Sequence, residues 1–570
     1  MHREENLISA YSPKFFGRVV WLLVFIAISF LVFNRHQNTG YFNWRSKMWA
    51  DQAGYYVYLP SFFLYGMNGG QMPDNIVAKT GDGFSIDEDG KIITRYTAGV
   101  AIMQAPFFVA IHALAGLTGQ EQDGFSGLYH YVSSVAAIYY AFLGLLLLYI
   151  YLMFYFKKSI VILSLLSIFL GTNLLYYTID ATGMSHIYSF FLFALLLLAS
   201  KLFFAGSTGR RTKNLWFLVI AFTSALIVLL RPTNLVFVAL VFLLDTHSRI
   251  TLIARFRHVF TPVRIIMVMV AFAFVFLPQM LYWKYASGSY ITDSYQGYGF
   301  SNWASPQIAK FLFSPNNGMF LYNPLYFLIV LALVIMIRHK KVNGYYIVLT
   351  LAGLIYLFSS WFIFSFGCGF GSRNFVEYTT VFTLPLGFLF SKIENEKKII
   401  KSGVAVVLVL FIMMNVKLTS AYDKCFVGGD WEFREYTHLL KIRKHSERTL
   451  FFRKDLLTEE KEFSKGINVN LKYNTCANYR RAIVSLTAEL FEENSEAVVV
   501  IAVTAADSTI YWNGYNLSND YDFNRAGEPQ RIKADFSLPR SYTTNSVISS
   551  YVWNVGKDSL YISKFKVSLE

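Results

Sequence analysis

Residues 215–244 read LWFLVIAFTSALIVLLRPTNLVFVALVFLL, apolar throughout except for Arg231-Pro232-Thr233-Asn234 in the middle. About 20 apolar residues cross a hydrocarbon core, so 30 are too many for one ordinary crossing, and the polar break decides the topology. One long crossing would place Arg231 inside lipid, which costs about 2.5–3.5 kcal/mol or more. Two short legs with Arg231 at the outer turn avoid that cost. The flanks favour the two legs. Lys201, Arg210, Arg211 and Lys213 precede the run, and Arg249, Arg255, Arg257 and Arg264 follow it. Basic clusters collect on one membrane face, so an even number of crossings must separate them.

The same parity organises the rest of the chain. Of its 570 residues, 55% are hydrophobic and only 15% charged, against roughly 25% charged in a soluble domain. That composition excludes a disordered chain, a secreted disulfide scaffold and an ordinary soluble enzyme. Twelve apolar runs are crossing candidates: Phe15–Phe33, Ala98–Leu117, Tyr131–Phe156, Ile160–Ile179, Ile187–Phe204, Leu215–Leu230, Leu235–Leu244, Ile265–Tyr282, Phe320–Ile337, Tyr345–Phe366, Val376–Phe390 and Ile399–Val416. Further basic clusters lie at Arg3, Lys14 and Arg18, at Lys157 and Lys158, at Arg338, Lys340 and Lys341, and at Lys392, Lys397, Lys398 and Lys401. Only two crossings can separate Arg18 from Lys157. Residues 98–117, interrupted by Gln104, Pro106 and His112, therefore read as a helix that dips into the outer face. The expectation is eleven crossings, with the amino terminus cytoplasmic and the carboxyl terminus outside. Short loops suit a bacterial inner membrane with a periplasmic outer face. The net charge of +15 is then the signature of inner loops, and a nucleic-acid partner is not expected.

Composition changes after Val416. Residues 417–466 read as a short helical connector. Residues 467–570 read as a β-sandwich, with alternating strands at Ala497–Val503, Thr509–Leu517, Arg531–Leu538, Val547–Val555 and Leu560–Leu569. Tyr511, Trp512 and Trp553 are candidates either for stacking on a sugar or for the domain's own packing. Cys368, Cys425 and Cys476 all fall outside in this topology, with a Cys425–Cys476 bridge as one option and no metal-ligand spacing of Cys and His.

The outer segments hold the chemistry. Residues 34–98 form a long first loop containing Trp49-Ala50-Asp51-Gln52-Ala53-Gly54-Tyr55-Tyr56. An acid among interfacial aromatics is partly desolvated, which raises its pKa and suits it to base catalysis near neutral pH. It also reads as a helix N-cap. Asp180 and His186 stand on a second outer turn, and Arg95, Arg231 and Arg373 are outer-interface arginines. Arg373 follows the glycine-rich stretch Gly367-Cys368-Gly369-Phe370-Gly371-Ser372, which permits close backbone approach. Arginine's planar fork pairs with phosphate oxygens.

One crossing, a long outer loop with an early Asp, many further crossings and an outer soluble domain resemble the GT-C superfamily of integral-membrane glycosyltransferases, which includes the protein O-mannosyltransferases and the lipid A aminoarabinose transferase. The residues that carry the resemblance are Asp51 with Gly54-Tyr55-Tyr56, and Tyr96 with Gly99 and Ala105-Pro106-Phe107-Phe108. Asp180 with Ser185-His186, Arg231-Pro232 and Gly367 through Arg373-Asn374-Phe375 complete the set. The resemblance spans roughly residues 15–416. It implies a catalytic domain over residues 1–416 that moves a sugar from a polyprenyl-phosphate donor to a glycan, lipid or protein acceptor, with inversion. Asp51 would be the catalytic base, and Arg373 the leading phosphate ligand. Asp180, His186, Arg231, Arg95, Tyr55 and Tyr56 would contribute to substrate binding. Many members carry an acidic pair where this chain has Asp51-Gln52, so the divalent cation such a pair holds is uncertain here. The rival reading is a transporter or flippase of lipid-linked glycans, which typically carries midplane ionisable residues and internal repeats; neither is found.

The topology makes a direct prediction. In a cysteine-free background, Tyr295→Cys should react with a membrane-impermeant maleimide in intact cells, and Lys341→Cys only after permeabilisation. The reverse pattern would invert every loop.

Overall fold

The computed structural model describes residues 15–36, 41–42, 46–205, 209–293, 295, 297–367, 369–422, 433–440, 446–450, 454–470, 479, 481–493, 495–505, 508–538 and 546–569. The protein is a polytopic helical membrane protein with a C-terminal β domain. Its chain divides into a helical unit, built mainly from residues 47–422, and a second unit that contains residues 441–570. The three cysteine positions lie outside the described residues.

All twelve apolar runs are helical. In chain order the helices are α1 (Phe15–His36), α2 (Asp51–Tyr56), α3 (Tyr58–Phe63), α4 (Gly99–Leu117), α5 (Tyr131–Leu152), α6 (Lys158–Gly171), α7 (Leu174–Ile179), α8 (Ser185–Phe204), α9 (Arg210–Leu230), α10 (Leu235–Leu243), α11 (Arg249–Val259), α12 (Pro262–Ser287), α13 (Leu325–Arg338), α14 (Val342–Ser359), α15 (Thr379–Ile393) and α16 (Lys398–Ala421). Eight of the described helices are long and apolar enough to cross a membrane. The central one is α8, whose best window is 78% buried inside the protein, against 11% for α1 and α16. It packs closely on α5 because Gly144 has no side chain: a Cβ there would meet the Phe190 ring at 2.7 Å.

The turn at Arg231 separates α9 from α10 as two legs. Thr97 donates to the Leu229 carbonyl at the Arg231 end, while Lys201 reaches Asp245 (2.8 Å) at the far end. Both ends of α4 are held near that same turn and the first outer loop. Gly99 lies against Leu230, and His112 bonds Tyr129 (2.6 Å) beside Gly124, whose carbonyl accepts from Tyr56.

Two runs expected to be continuous are broken by asparagine. Residues 160–179 split at Thr172-Asn173, and residues 320–337 split at Asn323-Pro324. The reason is hydrogen bonding. The Asn323 side chain accepts the Asn173 N–H at 2.5 Å, and Asn173 Nδ2 donates to the carbonyls of Phe370 (3.4 Å) and Ser372 (3.2 Å). Asn317 adds donors to the Ser365 and Gly367 carbonyls and accepts from the Gly371 N–H. Three buried amides thus hold the loop that precedes Arg373.

In the second unit the strands β3 (Ser446–Leu450), β4 (Asp455–Leu457), β5 (Ile467–Asn470), β6 (Arg481–Glu489), β7 (Ala497–Ala505), β8 (Ser508–Asn516), β9 (Gln530–Ser537), β10 (Val547–Asn554) and β11 (Leu560–Leu569) form two sheets, numbered after a short hairpin of β1 (Ser85–Ile86) and β2 (Ile92–Ile93). Their orders are β5-β10-β7-β8 and β3-β11-β6-β9, with β4 added on β11 and every pairing antiparallel. Alternating side chains such as Ala482, Val484, Leu486 and Ala488 fill the core between them. The expected connector is corrected here. Among its described residues, the end of α16 and Phe433–Leu440 are helical, while β3 and β4 already pair with β11, because short polar strands disguise themselves as loop when their partner is a hundred residues away. Tyr511 packs against the core, whereas Trp512 is half exposed and meets Trp553 edge-on at 6.4 Å.

Glycine at 54 is a spatial requirement. A Cβ there would lie 2.4 Å from both the Gly83 carbonyl and the Tyr96 ring, whereas one at Gly353 in α14 meets nothing within 4 Å. Gly54→Ala should lower stability by about 1–3 kcal/mol, and Gly353→Ala should be neutral or raise it by up to about 1 kcal/mol. Thermal unfolding in detergent distinguishes the two.

Candidate active site

Asp51 is the first residue of α2, and the residue before it, Ala50, has φ +49°, a conformation disfavoured for alanine. The turn is fixed by the Ala50 N–H donating to the Thr80 carbonyl (2.8 Å), and it is packed so closely that a Cβ on Gly83 would meet the Ala50 carbonyl at 2.1 Å. The capping alternative does not hold, since no side-chain cap bond is made at this helix start. Instead the carboxylate turns to two partners. Arg373 Nη1 donates to Oδ2 at 3.1 Å, and the Tyr96 hydroxyl donates to Oδ1 at 2.5 Å. The side chain of Asp51 stays 35% exposed and that of Arg373 18%, so the pair remains reachable.

This pairing reverses the expected titration. Burial alone would push the Asp51 pKa up, but the Arg373 guanidinium, the Tyr96 hydroxyl and the more distant Arg95 outweigh it. The carboxyl is held below the usual carboxylate range, so Asp51 is an anion at neutral pH. Sequence reasoning placed it among aromatics without knowing that an arginine 322 residues away would neutralise it.

A second, more buried cluster adjoins the pair. Arg231 donates through Nη2 to the Asn374 side-chain oxygen, and its Nη1 lies 3.1 and 3.3 Å from the two ring nitrogens of His186. His186 Nδ1 is 2.9 Å from Glu377 Oε2, and Asn234 Nδ2 donates to Glu377 Oε1 at 3.2 Å. Arg231 Nη1 is 3.8 Å from the same carboxylate. The side chains of His186 and Glu377 are 1% and 0% exposed. The His186 imidazole is therefore closed off, and Arg231, with its side chain 18% exposed, is the more open cation of this cluster. Sequence reasoning missed Glu377 altogether. The available signal was its isolation: it is the only acid between Asp293 and Glu394, in a region that is mostly apolar.

The other expected residues separate. Asp180 is committed to Arg35, whose guanidinium also donates to the carbonyls of Ser420 and Tyr422. Tyr56 points away, its hydroxyl donating to the Gly124 carbonyl at 2.7 Å. Tyr55 stays close, with its ring 4.4 Å from that of Tyr96. Arg95 is exposed, forms no ion pair among the described residues, and lines a cavity of about 440 Å³ with Gly83, Thr94, Tyr282, Asp293 and Tyr295. Tyr295 lies within electrostatic reach of Arg231, Arg373, Asp51 and Arg95, which ties the cavity to the ion pair.

The donor set does not fit a divalent cation. Asp51 is paired with Arg373, Asp180 is paired with Arg35, and Gln52 accepts the Gly183 N–H at 2.9 Å, stitching the two outer loops together. No group of three His, Cys, Asp or Glu side chains among the described residues is arranged around a metal position.

No family model and no curated protein matches the chain. Among solved structures it is similar to ArnT from Cupriavidus metallidurans in the apo state, with 10% identity, 68% of this chain and 63% of that one covered, and a TM-score of 0.41. ArnT from the same organism bound to undecaprenyl phosphate gives 12% identity, the same coverage and a TM-score of 0.42. The archaeal oligosaccharyltransferase AglB from Archaeoglobus fulgidus, in complex with an inhibitory peptide and a dolichol-phosphate, gives 13% identity, 72% and 57% coverage and a TM-score of 0.40. The chain spans less than two thirds of the length of each.

Two measurements check this geometry. Glu377→Gln should destabilise the protein by about 3–5 kcal/mol, because it leaves Arg231 without its buried counter-charge. The stability that the Asp51 carboxylate contributes through its depressed pKa should be fully present above about pH 5 and be lost as pH falls below about pH 4. The thermal-stability difference between wild type and Asp51→Asn, followed against pH, reads that sign.

Proposed function

We propose that the protein transfers a sugar from a polyprenyl-phosphate donor to a hydroxyl- or amine-bearing acceptor at the outer membrane face. The observation that carries this reading is the reachable Asp51–Arg373 pair, with Arg95 lining a cavity of about 440 Å³ whose Tyr295 lies within electrostatic reach of that pair and of Arg231. A transferring sugar phosphate needs cations where negative charge develops on the leaving group, and it needs one base for the attacking acceptor. The site supplies both.

The paired state also suggests how the base is released. Before the donor binds, Arg373 keeps Asp51 ionised and weakly basic. A lipid phosphate that draws on the Arg373 guanidinium removes part of that stabilisation, so the carboxylate becomes a stronger base as the donor seats. The acceptor oxygen or nitrogen then forms its bond to the anomeric carbon. The bond from that carbon to the phosphate oxygen breaks, the electron pair leaves with the polyprenyl phosphate, and the acceptor proton passes to Asp51. A double displacement needs two carboxyl groups about 5 Å apart. Here Gln52 is held on Gly183, while Asp180 and Glu377 have their own partners. Gln52 in place of a second carboxyl beside Asp51 supports single displacement with inversion.

Turnover by purified protein of a panel of polyprenyl-phosphate sugars, followed by release of lipid phosphate, tests the assignment. Asp51→Asn should lower the rate by about 10²–10⁴-fold while the thermal unfolding profile at neutral pH stays cooperative. Arg373→Gln should weaken donor binding and move the acid limb of the pH–rate profile upward, as Asp51 loses its counter-charge. Normal turnover by Asp51→Asn would overturn the base assignment.

A further inference from the structure

A second cavity, of about 280 Å³, opens at the other end of the helical unit. Helix α8 carries His186 in its first turn and Lys201 in its last, about 22 Å apart at 1.5 Å per residue. Helix α10 likewise leads from Asn234 beside Glu377 to Asp245 at this second cavity. The two polar sites therefore lie at opposite ends of the same helices.

Inside the second cavity the acid is used up. Asp245, held at φ +62° just past α10, accepts from Lys201 Nζ at 2.8 Å, the Tyr155 hydroxyl at 2.5 Å and Asn343 Nδ2 at 2.8 Å. Lys201 also stands 4.3 Å above the Tyr155 ring. With Lys201 neutralised, the charge left over is that of Arg255. Its guanidinium lies 4.1 Å above the Phe204 ring, and one N–H is donated to the Phe242 carbonyl at 2.8 Å. No carboxylate among the described residues pairs with it. A guanidinium has five N–H donors in a planar fork; the Phe242 carbonyl takes one of these, and Asp245 in the same cavity lies within electrostatic reach without forming an ion pair.

The helix that carries Arg255 adds a second observation. No residue of α11 is buried, and Ile250, Ile253 and Phe256 are 80%, 52% and 45% exposed alongside Arg249 and Arg257. Apolar and basic side chains on one exposed helix suit the headgroup layer of a membrane containing anionic lipid. The cavity is slightly smaller than the roughly 300–1,000 Å³ that encloses a whole small ligand. It matches a headgroup whose chains remain outside.

We propose that this cavity binds the phosphate headgroup of an anionic membrane lipid, with Arg255 as the phosphate ligand and the lipid chains lying along α11. The site is separate from the transfer chemistry, and it stands or falls independently of it. The test is binding of fluorescently labelled phosphatidylglycerol to the full chain in neutral detergent. Saturable binding is expected, and Arg255→Ala should weaken it about tenfold or more, the size of a charge-assisted hydrogen bond. Arg257→Ala, which removes an equal charge from the same helix, should stay near wild type. Arg255→Gln keeps a donor for the Phe242 carbonyl and serves as the second variant, with thermal unfolding as the check that both fold. Equal loss in the Arg255 and Arg257 variants, or none in either, would overturn the site. Equal binding of labelled phosphatidylcholine would overturn the anionic headgroup. Displacement by inorganic phosphate at the concentration of competing unlabelled lipid would overturn the lipid and leave free phosphate as the ligand.

Discussion

Asp51 and Arg373 stand on loops from opposite halves of the helical unit, and the rest of the outer architecture is arranged so that they meet. On one side, Gly54 and Gly83 leave room for the Tyr96 ring and for the tight turn at Ala50, which sets the carboxylate at the head of its helix. On the other, Asn173, Asn317 and Asn323 satisfy the backbone of the glycine-rich loop and aim the arginine that follows it. A buried loop with unpaired peptide groups would be costly. Those asparagines remove that cost and are the reason two apolar runs are interrupted.

Charge is segregated with the same economy. Three acids at this end of the unit each have their own cation: Asp51 has Arg373, Asp180 has Arg35, and Glu377 has His186 with Arg231. The most buried of the three, Glu377, has no route to solvent, so its work is to hold Arg231 in place. The least buried, Asp51, is the one left reachable. Arg95 remains as an exposed cation at the cavity mouth. Asp82 and Asp293 line the same cavity as Arg95.

The long helices give this arrangement its polarity. α8 carries His186 and Lys201 near its two ends, and Asn234 and Asp245 flank the apolar α10, so each helix joins the Glu377 cluster to the second cavity. Their middles are nearly featureless packing surfaces of Phe, Leu and Ala. Polar side chains are displaced to the two ends because a charge in the apolar middle would be far more expensive than one near an aqueous edge.

Much of this was legible in the chain itself. Apolar run length located the twelve apolar helical runs, two of them interrupted at asparagine, and the parity of basic clusters read the Arg231 break as a turn between two legs; both signals are local or additive along the sequence. Alternation likewise found five of the sandwich strands, but it missed Ile467–Asn470, which pairs with β10, and Arg481–Glu489 and the short strands at 446–450 and 455–457, which are specified by their partner β11. Sequence also put Asp51, Arg231 and Arg373 on one face. It could not say that Asp51 would be ionised more strongly than a free carboxyl, that Asp180 would be spent on Arg35, or that Glu377 would hold His186 and Arg231. Each of those depends on which opposite charge arrives from far along the chain. A Coulomb interaction is set by distance in space, and only the tertiary structure fixes that distance.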